Sequence, residues 1–279
     1  MIMRRRTLLL LAAAMGGAYV LRRKLGLHED LDWEEIDKPG SMEYIDGYGI
    51  HYRDQGQGPA VLLIHGFGGH TWSYRELAPR LARDHRTIAV DLKGFGYSQR
   101  RADAGLSHTD QARMLAALLD RLGIAGAVVV GHSIGGAVAQ RFAAMYPERC
   151  EALVLAAAAI GDRFRRHLAG PLLPLLRPLL PVLGGIAANR LFGAMFYERP
   201  PDVAAIKAEY VRPARIRGSM DGLMAMMRDM ARDGEVDTRR VTMPVLLLYG
   251  AHDAIVPLSV AQEIRSRIPH ARLVVIERA

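Results

Sequence analysis

The sequence predicts an α/β fold: a mostly parallel sheet flanked by helices, with a helical insertion late in the chain and an apolar helix at its start. Three observations carry this. Short aliphatic or β-branched runs alternate with helix-length segments from about Met42 to Ile160. One of those runs, Ala127–Val130, passes into Gly131-His132-Ser133-Ile134-Gly135 and at once into an Ala-rich helical segment. Strand-like runs then stop between about 161 and 240, and resume at Pro244.

The first 27 residues stand apart. Thr7–Leu21 is uncharged and mostly apolar, between Arg4-Arg5-Arg6 and Arg22-Arg23-Lys24. As a helix this run spans roughly 22 Å at about 1.5 Å per residue. A hydrocarbon core is about 30 Å thick, so spanning draws on Ile2, Met3 and snorkelling arginines. The segment reads as an uncleaved membrane anchor, which makes the protein membrane-associated. A processed export signal is the alternative, because Arg5-Arg6-Thr7-Leu8-Leu9 has twin-arginine character and Ala12-Ala13-Ala14 resembles a cleavage box. A soluble amphipathic arm is the third reading. The basic triplets balance, so orientation is left open. The net charge is +8, but these six basic residues supply most of it, and about +2 remains without them. A nucleic-acid partner is therefore not expected. Cys150 is the single cysteine, so no intrachain disulfide can form.

Residues 28–41 are acidic and polar, end in Pro39-Gly40-Ser41, and read as a linker. The core is expected over 42–160 and 241–279. Met42–Ile45 and Ile50–Arg53 flank Asp46-Gly47, a hairpin signal. Ala60–Ile64 is continuously apolar, as for a strand buried on both faces. Thr71–Arg83 reads as a helix, Thr87–Val90 as a strand, and Asp110–Leu122 as a helix stopped by Gly123. Pro147 closes the helix after the serine turn, and Leu153–Ala157 is another strand. Pro244–Tyr249, a helix over Leu258–Ile268 and a strand over Arg272–Ile276 complete the pattern. Residues 161–240 read as a helical cap, proline-cut near Pro171–Pro181 and methionine-rich from Met220 to Met230. These leucines and methionines serve a cap core or, alternatively, an adaptable apolar pocket. Between Asp162 and Arg217 basic residues outnumber acidic ones, which suits a solvated face or a contact with anionic headgroups.

The turn at Ser133 gives G-x-S-x-G its chemical sense. Glycines without Cβ let the backbone close tightly around a strained serine. Its Oγ then stands above the sheet, and the N–H groups that open the next helix face any charge developing beside it.

With His65-Gly66-Phe67-Gly68-Gly69 after one strand, Asp91–Ser98 after another and Gly250-Ala251-His252-Asp253 near the end, the chain resembles the α/β-hydrolase fold enzymes from about Met42 onward. The resemblance implies a serine esterase or lipase-like member: Ser133 as nucleophile, Asp253 as triad acid, and the backbone N–H groups of Phe67 and Ile134 as the oxyanion hole. Asp162 is the fallback acid. Asp91 is read as a structural turn residue, and His65 and His132 as hydrogen-bonded scaffold residues. In such enzymes the base is a histidine just after the last strand. This sequence reaches Ala279 without one, so the catalytic histidine is expected just beyond Ala279 in a longer protein. His270 precedes that strand and belongs at the other edge of the sheet.

The implied activity is cleavage of carboxylic esters through an acyl-enzyme, on a small ester substrate with an apolar acyl group. Serine at the elbow argues against the aspartate-using epoxide hydrolases and haloalkane dehalogenases. A carbon–carbon bond hydrolase, a cofactor-free haloperoxidase, an acyltransferase and a non-catalytic binding module remain alternatives. No cofactor and no metal is expected, since no cluster of metal-binding side chains, P-loop or dinucleotide fingerprint occurs in the sequence.

Overall fold

The computed structural model describes residues 28–101, 105–161, 196–198 and 200–279. The anchor segment and the fallback acid Asp162 lie outside these residues. Among the described residues no helix is long and apolar enough to cross a membrane.

Eight strands form one sheet: β1 (Ser41–Ile45), β2 (Tyr48–Gln55), β3 (Ala60–Ile64), β4 (Arg86–Val90), β5 (Ala127–His132), β6 (Cys150–Ala156), β7 (Val245–Gly250) and β8 (Arg272–Ile276). Their order is β1-β2-β4-β3-β5-β6-β7-β8. β1 and β2 pair antiparallel through the Asp46-Gly47 turn, and β2 runs antiparallel to β4; every other pairing is parallel. Both turn residues have positive φ, 51° at Asp46 and 74° at Gly47, as a two-residue hairpin demands. Every residue of β3 is buried, in line with its unbroken apolar run.

Among the described residues the α-helices are α1 (Ala78–Leu81), α2 (His108–Arg121), α3 (Ile134–Met145), α4 (Val203–Ala214), α5 (Ser219–Arg232) and α6 (Leu258–Arg267). α3 buries ten of its residues between the sheet and its neighbours. The small side chains of Ala137, Ala139, Ala143 and Ala144 allow that approach. α2 starts two residues before the expected position, because Ser107 and Asp110 form a reciprocal capping box. The continuous helix expected over Thr71–Arg83 is instead a 3₁₀ turn at Thr71–Tyr74 followed by the short α1. Pro79 has no N–H to give Arg75, so a helix cannot run through. The Tyr74 hydroxyl also donates to Ile64 O at 2.7 Å, tying the first piece to β3.

Residues 28–41 are not the free linker their composition suggested. Leu31 forms a parallel bridge with Ile216. The Glu29 carboxylate accepts from Gly218 N and Met220 N at 3.0 and 2.8 Å, occupying donors that open α5. Trp33 is buried and donates through Nε1 to Tyr97 O at 2.8 Å. The acidic character that resembled a tether instead serves helix capping and the Asp30–Arg215 ion pair.

Asp91 holds the loop after β4, as expected, and reaches further. It accepts from Tyr97 N at 2.7 Å, Thr71 N at 2.5 Å and His51 Nδ1 at 2.8 Å. Burial works to raise its pKa, but His51, His70 and His65 hold it well below the usual carboxylate range.

Candidate active site

The carboxyl ends of β3, β5 and β7 bring the site together, as in open parallel sheets generally. Ser133 follows β5 with φ 52° and ψ −120°, a conformation costing a non-glycine residue about 1–3 kcal/mol. Its neighbours over-determine it. Ser133 N donates to Ala156 O at 3.0 Å, while Ser133 O accepts from Gly136 N and Ala159 N, both at 2.9 Å.

Two glycines set how closely the loops approach. A Cβ on Gly135 would stand 2.3 Å from His65 O, so the first turn of α3 presses against the end of β3. A Cβ on Gly66 would stand 3.0 Å from Ser133 Cβ and 2.7 Å from His132 Nδ1. The His65-Gly66-Phe67 loop therefore lies on the serine turn itself. Phe67, Ser133 and Ile134 together line one cavity of about 290 Å³. Ile134 opens α3, so its N–H has no partner within the helix and lies at the positive end of the helix dipole. The Phe67 side chain is half exposed and lies edge-on to Phe95.

His65 is fully committed to scaffold duty. Its Nδ1 donates to Gly66 O at 2.7 Å, and its Nε2 accepts from Leu92 N at 3.1 Å. That pattern requires the neutral ring, and burial lowers its pKa accordingly. His132 is also desolvated, which lowers its pKa against the opposing pull of Asp253. His252 stacks on Tyr197 with ring centroids 5.5 Å apart. His270 binds Met243 O at 3.0 Å beside the amino end of β8, away from the serine.

Asp253 lies three residues past β7. Its Oδ1 accepts from Ile255 N and Val256 N, both at 2.8 Å, and Ile255 and Val256 line the same cavity as Ser133. Pro257, not Asp253, caps α6. The end of β8 runs beside this loop: Ala251 N donates to Ile276 O at 3.0 Å and His252 N to Ala279 O at 2.9 Å.

Sequence reasoning missed the cavity's far wall. Gln140 and Arg141 of α3, Met230 of α5, and Asp233, Gly234 and Glu235 just past α5 belong to it. Gln140 sits seven residues past Ser133, two helical turns along the same face, and that spacing was the available signal. Asp233, also in this wall, accepts from Thr109 Oγ1 at 2.9 Å and pairs with His108 Nδ1 at 3.3 Å. Burial acts to raise the Asp233 pKa, yet the bonds to His108 and Thr109 bring it down to about 2.

Residues 59–279 match the alpha/beta hydrolase fold family, and the chain belongs to it. It is 32% identical over 240 residues to a 2-hydroxymuconate semialdehyde hydrolase of Pseudomonas putida, covering 81% of this chain and 82% of that one. It is 27% identical to a pimeloyl-[acyl-carrier protein] methyl ester esterase of Aliivibrio salmonicida, covering 82% and 88%. Among solved structures, an esterase from Exiguobacterium antarcticum superposes with a TM-score of 0.71 at 21% identity, over 86% of this chain and 91% of that one.

Proposed function

We propose that the protein is a serine hydrolase that cleaves carboxylic esters through an acyl-enzyme. The strained Ser133 at the head of α3, with the Phe67 loop packed on it, is the observation that carries this reading. In the proposed cycle Ser133 Oγ attacks the ester carbonyl, and its proton passes to a base. The backbone N–H groups of Phe67 and Ile134 receive the oxyanion, a contribution worth about 2.7–4 kcal/mol per donor. The protonated base then gives its proton to the leaving alcohol, and water repeats the sequence to release the acid.

Asp253 is the proposed orienting acid. The base that takes the Ser133 proton is proposed to approach from the side where the end of β8 meets the Asp253 loop. Residues 161–240 are proposed as a cap over the cavity, with Met230 of α5 on its wall supporting that assignment. The basic and apolar segment Arg4–Lys24 is proposed to hold the protein at a membrane.

A panel of p-nitrophenyl esters of increasing chain length tests the reading: turnover that disappears in Ser133→Ala supports it. A second reading, carbon–carbon bond hydrolysis, is favoured by the 32% identity to the muconate semialdehyde hydrolase. Turnover of a muconate semialdehyde without turnover of any ester would select that reading instead.

A further inference from the structure

The cavity wall beyond Ser133 carries polar groups that the described protein leaves unmet. Ser133 at the head of α3 and Ala137, Gln140 and Arg141 within it line the wall, positions that share one side of the helix. Gln140 is 3% exposed and lines the cavity, with no hydrogen bond from its amide among the described residues. Arg141 donates through Nη1 to Glu235 O at 3.4 Å and through Nη2 to Gly234 O, whereas its Nε–H is buried without a partner.

Arg141's two acceptors are neutral carbonyls, and no described carboxylate pairs with its charge. The acids nearby are engaged elsewhere. Glu235 and Glu263 approach Arg267 at 3.8 and 3.3 Å, and Asp233 is held by Thr109 and His108. Arg141 Nε–H is sealed within the protein, whereas the Gln140 side chain lines the cavity without a described partner, so a ligand there can hydrogen-bond its amide. The wall between them and the serine is apolar, through Ala137, Ala159, Ile160 and Met230.

We propose that the far end of the cavity binds the terminal carboxylate of a dicarboxylic acid monoester whose ester group lies at Ser133. Gln140 and Arg141 are then specificity-determining residues: a carboxylate oxygen accepts from the Gln140 amide, and the carboxylate charge faces the Arg141 guanidinium. Gln140 lies about 11 Å from Ser133 along the helix, at about 1.5 Å per residue. A zigzag acyl chain of about eight carbons spans about 9 Å, and a hydrogen bond of about 3 Å from its far carboxylate covers the rest. This inference names the substrate class of the proposed ester hydrolase and rests on that reading.

Calorimetry on the full chain carrying Ser133→Ala compares monomethyl octanedioate with methyl octanoate, so that binding is read without turnover. The carboxylate ester is expected to bind about ten- to a hundredfold more tightly, the range of a hydrogen bond to a charged group. Arg141→Met and Arg141→Gln should each weaken the octanedioate ester at least ten times more than methyl octanoate. Gln140→Leu should shift the ratio the same way by less. Equal binding of the two esters, or a preference that survives both Arg141 variants, overturns the subsite. Hydrolysis of p-nitrophenyl octanoate by the Ser133 protein is read in parallel. Turnover without the carboxylate preference sinks the subsite and leaves the esterase. The preference without turnover of either ester class sinks the esterase and leaves a carboxylate-binding cavity.

Discussion

Gly66 packs directly on Ser133: a side-chain carbon at position 66 would lie 3.0 Å from Ser133 Cβ. The contact is tighter still toward His132 Nδ1, at 2.7 Å, so an added methyl group has to push the loop off the serine turn. Gly66→Ala should therefore displace the Phe67 N–H while the sheet stays folded. The expected loss in kcat is about 10²–10³, the scale of losing one oxyanion donor. Stopped-flow acylation kinetics beside a melting curve check it; an unchanged rate would place the donor elsewhere.

Asp253 has two separable duties. Its Oδ1 holds the backbone of Ile255 and Val256, and its charge is proposed to orient the base. Asn retains an Oδ1 acceptor and loses the charge. Asp253→Asn should keep the melting temperature within a few degrees while ester turnover falls about 10⁴-fold, as in another serine hydrolase. Asp253→Ala should lower both. A normal rate in the Asn variant would redirect the search toward Asp162.

Much of this was legible in the chain because the signals are local. The Asp46-Gly47 hairpin, the apolar β3 run and the serine turn each depend on a few adjacent residues. The loops bearing Phe67, Ile134 and Asp253 follow their strands at short fixed distances. What failed depended on tertiary partners. Glu29 and Trp33 look like linker residues until α5 and Tyr97 meet them, and β6 starts at Cys150 because its pairing with β5 begins at Ala127. Gln140 and Arg141 looked like ordinary helix residues, because the cavity beside them is built by α5 and α6 from the far end of the chain.

His70 predicts an acid weakness. Its Nε2 donates to Glu209 O at 3.2 Å, and its Nδ1 is buried without a partner, which fits a neutral ring. Burial lowers its pKa from 6.5 to about 4, against the opposing pull of Asp91. In the unfolded chain the ring takes up a proton near pH 6.5, whereas in the folded protein it stays neutral down to about pH 4. Stability should thus fall as pH drops through that window, by an amount on the order of 3 kcal/mol when complete. Urea unfolding at pH 7, 6, 5 and 4 should show the slope, and His70→Phe should flatten it. An identical slope in the variant would assign the effect to other groups.

The amino-terminal segment and the residues after it should behave differently when removed. Deleting residues 1–24 is expected to release the protein from membranes without lowering its melting temperature. Deleting residues 1–40 also removes the Glu29 cap on α5, the Asp30–Arg215 pair and buried Trp33. Loss of the cap alone typically costs about 0.5–2 kcal/mol, so this second truncation should melt several degrees lower. Membrane fractionation and calorimetry of the two truncations separate the roles. A full chain recovered uncleaved in the soluble fraction would count against anchoring.

The most direct measurement is covalent labelling of the full-length protein with a fluorophosphonate probe, mapped by peptide mass spectrometry. Ser133 should be the modified residue, and both Ser133→Ala and prior incubation with an ester substrate should abolish or slow the reaction. Labelling that persists in Ser133→Ala, or that maps to another serine, would contradict the assignment of Ser133 as the nucleophile.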